Sequence, residues 1–140
     1  MPPVFLPDLR LNATLQGPPG APALVLIHAL GTSLALWDGV AAQLPRHRIL
    51  RLDLRGHGAS DVPPAPYAMG ALVRDVERLI DHFGLTETVV AGVSLGGMIA
   101  QGLAVKRLDL VRGLVLSNTA ARIGTAAQWQ DRIATVREQG

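Results

Sequence analysis

The sequence predicts an α/β fold in which an N-terminal β-hairpin precedes a mainly parallel sheet with flanking helices. Apolar runs without alternation, such as residues 24–27, are typical of strands that are covered on both faces. Between these runs lie stretches of helical period, of which residues 70–83 are the clearest. Repeated strand–helix–strand units imply a parallel sheet with helices on both faces.

The elements can be assigned in chain order. Alternation of apolar and polar residues predicts the hairpin over 4–16, with Pro7-Asp8 as its turn. Gly84 stands where a helix end favours glycine, and Thr125 with Gln128 forms a capping box that opens the last helix. Further strands are expected at 24–27, 49–54, 89–93 and 111–117, and helices at about 35–44, at 70–83, after residue 97 to about 107, and from 125.

Composition limits the classes of function. A chain of 140 residues suggests one domain, and 49% hydrophobic residues suffice for a core. Cysteine is absent, which excludes disulfides, thiolate metal ligands and a cysteine nucleophile within the chain. The net charge is +2, and one loose basic group is interpreted as a solvated strand end, so no nucleic-acid partner is expected. That group comprises Arg46, Arg48, Arg51 and Arg55.

Targeting signals are not evident in the sequence. The N-terminal residues lack the basic start and apolar core of a signal peptide. The longest early apolar run, residues 23–30, is shorter than the roughly 20 residues that span a bilayer. We therefore expect a soluble, cytoplasmic protein with no membrane partner.

The strongest motif is Gly-Val-Ser-Leu-Gly-Gly at residues 92–97. It lies between a predicted strand and a predicted helix, which is the context that a nucleophile elbow requires. A serine on such a sharp turn has strained backbone geometry, and glycines beside it permit close approach. Ser94 is therefore the candidate nucleophile.

A serine nucleophile needs a general base and preorganised donors for the oxyanion. In elbow hydrolases one donor is the amide after the nucleophile, here that of Leu95. The second comes from the loop at residues 28–31, for which we assign the Leu30 amide. Ligands bind beyond the carboxyl ends of parallel strands, so four residues at such ends should converge. They are Ser94, His28, Arg55 and Asn118.

Three segments in order carry a resemblance to a known family. Residues 26–31 (Leu-Ile-His-Ala-Leu-Gly), 53–60 (Asp-Leu-Arg-Gly-His-Gly-Ala-Ser) and 92–97 resemble signatures of the N-terminal half of the α/β-hydrolases. More narrowly, residues 30–38, 117–124 and 129–140 look like those of the 3-oxoadipate enol-lactonases of aromatic catabolism. The resemblance implies that residues 1–124 are the N-terminal part of a hydrolase core and that 125–140 begin a cap, where the chain is truncated.

The resemblance implies hydrolysis of a small-molecule lactone or ester, without a metal or organic cofactor. A carboxylesterase or a haloperoxidase-like hydrolase is the alternative activity. The lactone would carry a free carboxylate, for which Arg122 is a candidate because arginine suits bidentate recognition. A surface role for Arg122 is the competing interpretation. Trp129 could face the pocket from the cap, or it could pack in the core.

The family triad runs in the order serine, acid, histidine. All four histidines precede Ser94, so the triad acid and histidine are not expected within this chain. The strand that ends at Ser117 is followed by Asn118 rather than by a carboxylate. Asp131 and Glu138 lie on the polar side of a predicted helix, where a solvated position is favoured. His28 and His57 could substitute as base, although both belong to loops for which a structural role is favoured.

The missing base motivates a second hypothesis, a non-catalytic fragment or interaction module. An open strand edge and an uncovered apolar face could pair with another copy or with a completing chain. A dinucleotide-binding unit is disfavoured, because the G-x-G-x-x-G pattern does not follow the first parallel strand.

Overall fold

The computed structural model describes residues 1–139. These residues form seven strands and four α-helices, and a 3₁₀ turn over Leu34–Trp37 precedes the first helix. In chain order the elements are β1 (Val4–Leu6), β2 (Leu9–Leu11), β3 (Ala13–Gln16), β4 (Ala23–Ile27), α1 (Asp38–Ala42), β5 (Arg48–Leu52), α2 (Met69–His82), β6 (Thr88–Val93), α3 (Leu95–Lys106), β7 (Val111–Ser117) and α4 (Ala126–Gln139).

The main sheet has five strands in the order β3-β5-β4-β6-β7, and all neighbours except β3 and β5 are parallel. The predicted parallel sheet is therefore confirmed. The hairpin is shorter than predicted, because only β1 and β2 pair with each other. Residues 13–16 instead form β3, which lies antiparallel to β5. Period-two alternation identifies a strand but does not identify its partner, so the sequence could not separate the two pairings.

Successive residues of the central strands face two different layers. Val25 and Ile27 of β4 belong to the core under α2 and α3, whereas Leu26 between them packs with Ala41 of α1. Each parallel strand is covered on both faces, which explains why its sequence is continuously apolar. The larger layer also contains buried residues of β1 and β2.

Local signals fix the helix ends. Gly84 follows α2 with a φ of 62°, the left-handed conformation that favours glycine after a helix. The predicted capping box is also confirmed, because the Gln128 amide donates to Thr125 Oγ1 at 3.3 Å and the Thr125 amide donates to Gln128 Oε1 at 2.8 Å. These bonds start α4 at Ala126.

The interpretation of the basic group as a solvated strand end is wrong for two of its four arginines. Arg51 is buried and forms an ion pair with Asp38 of α1 and a hydrogen bond to Gln16 Oε1. Arg55 donates two bonds, of 2.6 and 2.8 Å, to the fully buried carboxylate of Asp75 on α2. Charge spacing did not reveal these partners, because both acids lie far away in the sequence.

The last part of the chain is packed more loosely. Strand β7 lies at the sheet edge, where Leu114, Val115 and Leu116 are all exposed, and α4 contains no buried residue in its described part. Among the residues that the structure describes, none of the helices has both the length and the apolar character needed to cross a bilayer.

Candidate active site

Ser94 lies at the sharp turn between β6 and α3. Its backbone has φ 54° and ψ −113°, a combination that residues other than glycine rarely adopt. The turn is held from β7 and the loop after it, because the Ser94 amide donates to Ser117 O at 3.0 Å and Thr119 Oγ1 donates to Ser94 O at 2.7 Å. The predicted strand–elbow–helix arrangement is thus present.

The glycines of the motif are required by close approach. A Cβ at Gly92 would lie 2.2 Å from the carbonyl of Gly96, and a Cβ at Gly96 would lie 2.3 Å from Ile27 O. Contacts this short with backbone atoms cannot be relieved by turning a side chain. The elbow is therefore pressed against the end of β4, which places Ser94 beside the loop that follows β4.

The two predicted oxyanion donors belong to this arrangement. Leu95 is the first residue of α3, so its amide is among the N-terminal donors that have no carbonyl partner within the helix. Leu30 lies in the loop after β4, and both leucines line one cavity with Ser94. The positive end of the α3 dipole faces the same place and favours a developing negative charge.

The cavity at Ser94 has a volume of about 250 Å³ and a mainly apolar wall. Trp129 from α4 forms part of this wall and donates from Nε1 to Ile123 O at 2.5 Å. The half-buried indole thus lies in the cavity wall rather than in either hydrophobic core. The remaining lining residues are Met69, Met98 and Ile123.

A second cavity of about 540 Å³ adjoins the first across Leu30 and Trp129. Its wall includes Arg132 and Arg137 of α4, together with His57. The Arg132 guanidinium lies 5.5 Å from the centroid of the Trp129 ring, a cation–π distance. This cavity therefore combines an apolar lining with positive charge, next to the space at Ser94.

Two buried polar residues, His28 and Asp53, support the loop that carries Leu30. His28 is fully buried, and burial lowers its pKa, which keeps the imidazole neutral. Burial by itself raises the pKa of Asp53, but hydrogen bonds from the Ala59 amide, the Asn12 side chain and the Leu34 amide outweigh that effect and lower the pKa overall. Asp53 is thus a fixed carboxylate that ties together the chain segments around the loop.

Arg55 and Arg122 do not line the cavity at Ser94. Asn118 lies beside Ser94 in the fold, because its neighbours Ser117 and Thr119 both bond to the Ser94 backbone. Arg122 is exposed, and the linings described above do not include it, although its neighbour Ile123 lines the cavity. Arg55 is turned away toward Asp75. Asn118 Oδ1 accepts a bond from Ser117 Oγ, and Asp131 and Glu138 are exposed on α4.

Two of the four histidines lie toward the opposite edge of the sheet from Ser94, and the other two are bonded to backbone groups. His47 directly precedes β5, and His82 ends the helix before β6, so both lie toward the amino end of the parallel strands. Ser94 follows the carboxyl end of β6, which is the opposite edge of the sheet. His28 and His57 are engaged by backbone groups through both ring nitrogens.

The elbow and the parallel sheet that carries it define a class of protein. A model of the alpha/beta hydrolase fold matches residues 22–137, and the chain belongs to this family. The predicted α/β-hydrolase fold is thereby confirmed.

The chain is also similar to particular proteins of this family. The chain is 38% identical over 134 residues to 3-oxoadipate enol-lactonase 2 of Acinetobacter baylyi, an alignment that covers 95% of this chain and 50% of that protein. The crystal structure of an enol-lactonase from Burkholderia xenovorans is 35% identical, with a TM-score of 0.94 over 99% of this chain and 55% of the other. A thermophilic esterase from Thermogutta terrifontis, with malate bound, is 29% identical with a TM-score of 0.85, over 93% and 48% of the two chains. The chain spans about half the length of these relatives.

Arg132 and Arg137 were missed by the sequence reasoning. A signal for them was present, because Trp129, Ile133 and Val136 share a helix face and these arginines flank it at helical spacing. The structure turns this face toward the loop of Leu30 rather than into a core.

Proposed function

We propose that the protein containing this chain is a serine hydrolase of carboxylic esters or lactones, with Ser94 as its nucleophile. The observation that carries the proposal is the grouping of Ser94, Leu95 and Leu30 around one apolar cavity. A carbonyl carbon in this cavity would be attacked by Ser94 Oγ. The Leu30 and Leu95 amides would hold the oxygen that becomes negative.

The proton on Ser94 must be accepted by a base from outside the described residues. The placement of the four histidines supports this inference, since two lie toward the opposite sheet edge and two are held by backbone groups. A later segment or a second chain would supply the histidine and its acid. The histidine would pass the serine proton to the leaving oxygen as the ester or lactone C–O bond breaks, and water would then hydrolyse the acyl-enzyme and regenerate Ser94. We further propose a cytoplasmic location, which suits the cysteine-free composition.

Within this class we propose 3-oxoadipate enol-lactone as the substrate. The support is the similarity to two enol-lactonases and the positive cavity beside the one at Ser94. A lactone ring would occupy the apolar cavity, and its carboxylate would point toward Arg132 and Arg137 of α4, which would begin the cap. Arg122 remains a candidate for this contact, although it is exposed outside the two cavity walls.

The experiment compares kcat/KM of the full protein for the enol-lactone and for a neutral aryl ester. Ser94→Ala should abolish turnover of both, by a factor of roughly 10⁴ or more. Ser117→Ala changes a neighbouring hydroxyl and serves as the matched control. Undiminished turnover in Ser94→Ala would contradict the proposed mechanism, and a preference for the aryl ester would favour a carboxylesterase.

The carboxylate contact is tested by arginine variants. Arg132→Ala should raise KM for the acidic lactone by about 10-fold, because a charge-assisted hydrogen bond is lost, and should leave the neutral ester unaffected. Arg112→Ala on β7 is a control at an exposed site. If Arg122→Ala alone raises KM, the contact belongs to Arg122 instead.

A second candidate function is an interaction module without catalysis. It is favoured by the exposed apolar residues of the β7 edge, which could pair with another copy or with a completing chain. Turnover by the full protein that is lost in Ser94→Ala would exclude this function.

A further inference from the structure

We propose that His57 is a positioning residue that orients the Leu30 amide by accepting a hydrogen bond from the next amide in the chain. This proposal rests on the proposed function in one respect, namely that Leu30 supplies an oxyanion donor. The geometry of the loop itself is independent of that function. His57 lies in the segment between β5 and α2, 26 residues from the loop that it holds.

The hydrogen bonds of His57 define which of its ring nitrogens carries the hydrogen. Nδ1 lies 3.0 Å from the Arg55 carbonyl oxygen, which can only accept, so Nδ1 carries the hydrogen. Nε2 then has a free lone pair, and the Gly31 amide donates to it at 3.0 Å. A neutral imidazole with this one tautomer satisfies both contacts, whereas an imidazolium has no acceptor for Gly31.

His28 makes the reciprocal connection. Its Nε2 accepts from the Leu54 amide at 3.0 Å, and its Nδ1 lies 2.8 Å from Ala29 O, to which it donates. The centroids of the two imidazole rings are 5.1 Å apart. Each loop therefore provides an imidazole whose Nε2 accepts a hydrogen bond from a backbone amide of the other loop. Both imidazoles carry their hydrogen on Nδ1. We call this arrangement the histidine pair.

The peptides on both sides of Leu30 are fixed by the histidine pair. The amide of Leu30 belongs to the same planar peptide as Ala29 O, which accepts from His28 Nδ1 and, at 2.7 Å, from Thr32 Oγ1. The following peptide contains the Gly31 amide that His57 holds. With both planes fixed, the Leu30 N–H has one direction before any substrate arrives, which is what an oxyanion donor requires.

Two substitutions separate the contacts of His57. His57→Asn keeps a donor near the position of Nδ1 and removes the acceptor at Nε2, whereas His57→Gln keeps an acceptor at the reach of Nε2. In the wild-type full protein, isotopically labelled at the nitrogens of both glycine and histidine, nuclear magnetic resonance should show a scalar coupling between Gly31 N and His57 Nε2. Hydrogen exchange of the Gly31 amide should be about 10-fold faster in His57→Asn and near wild type in His57→Gln, as expected for one hydrogen bond.

The second measurement is the kinetics of the full protein. His57→Asn should lower kcat by about 10- to 100-fold with little change in KM, because a misdirected oxyanion donor affects the transition state alone. His57→Gln should recover most of that loss. A merely structural histidine would lower the amount of folded protein and leave kcat per active molecule unchanged.

The outcomes are distinguishable. Equal protection of the Gly31 amide in His57→Asn and wild type would overturn the proposal, as would an unchanged kcat in an active protein that carries His57→Asn. If the full protein shows no hydrolysis, the proposed function fails. The resonance measurement then still decides whether His57 orders the loop.

Discussion

Strands β4 and β7 are similarly apolar in sequence and lie in opposite surroundings. Val25, Leu26 and Ile27 of β4 are at most 2% exposed, between two neighbouring strands and two layers of helices. Leu114, Val115 and Leu116 of β7 are 38–56% exposed at the sheet edge. Beyond Leu110, no residue in the described part of the chain is buried.

The residues of the candidate site are supported in two different ways. Some are carried by buried strands, and others belong to residues 111–139, which contain no buried residue and are called the exposed segment. Ser94, Leu95 and the loop of Leu30 are anchored on the buried strands β4 and β6, whereas Ile123, Trp129 and Arg132 come from the exposed segment. The groups proposed for bond chemistry are thus carried by buried strands, although Ser117 and Thr119 also bond to the Ser94 backbone. The groups proposed for substrate contact are held by few buried contacts. Local opening is expected first where burial is least.

The largest expected effect tests the core directly. Leu79→Ala removes a fully buried side chain of α2 and should lower the free energy of unfolding by about 2–5 kcal/mol, because a cavity remains. Leu114→Ala is the matched change on β7 and should cost less than about 1 kcal/mol. Urea denaturation of both variants measures this contrast, and equal losses would show that β7 is buried in solution.

A second contrast concerns glycine. Gly96→Ala would press a Cβ onto Ile27 O and should destabilise by roughly 1–3 kcal/mol, since backbone must move. Gly113→Ala on β7 meets only the Val89 side chain at 3.7 Å and should be neutral or slightly stabilising. Thermal unfolding compares the pair, and a wild-type Tm for Gly96→Ala would contradict the close approach of α3 and β4.

The third test uses pH. The lowered pKa of Asp53 means that its ionised form stabilises the fold at pH values above the usual aspartate value of about 3.9. This stability is lost as the pH falls through the lowered folded value. Asp53→Asn should therefore be less stable than wild type by about 1–3 kcal/mol at pH 7, with a gap that narrows below about pH 4.

The control for Asp53 comes from the exposed segment. Asp131→Asn on α4 should remain within about 0.5 kcal/mol of wild type at pH 7, because its carboxylate is exposed. Unfolding by urea at several pH values provides both curves. A constant gap between Asp53→Asn and wild type down to pH 3 would contradict the assignment of Asp53 as a stabilising carboxylate.

The smallest change in stability is expected at the sheet edge. Val115→Lys places a charge on an exposed edge residue and should alter the free energy of unfolding by less than about 0.5 kcal/mol. It should nevertheless reduce concentration-dependent self-association, because an edge charge opposes strand pairing. Sedimentation at several concentrations measures this association. Identical association of variant and wild type would show that β7 is not the contact surface.

Much of the fold was predictable because its signals are local. The apolar run over 24–27, the period of α2 and the capping box at Thr125 each depend on residues near one another, and each is confirmed. The pairing of β3 with β5 was not predictable, because partner choice depends on residues about 35 positions apart. The buried ion pair of Arg55 with Asp75 was missed for the same reason.

For the candidate site, the sequence predicted the centre better than its surroundings. The position of Ser94 at the elbow follows from a compact motif whose glycines have steric reasons. Arg132 and the acceptor role of His57 depend on how α4 and two loops meet, which a local pattern does not contain. The exposed state of β7 depends on neighbours rather than on its own apolar residues.

The backbone of Ser94 has a consequence for how such a chain tolerates change. A left-handed φ of 54° at a residue other than glycine costs on the order of 1–3 kcal/mol, a sizeable share of the 5–15 kcal/mol that keeps a typical domain folded. Glycine at this position would relieve the strain and remove the hydroxyl. Selection for thermostability alone would therefore favour loss of the nucleophile, so a screen for more robust variants must also select for turnover.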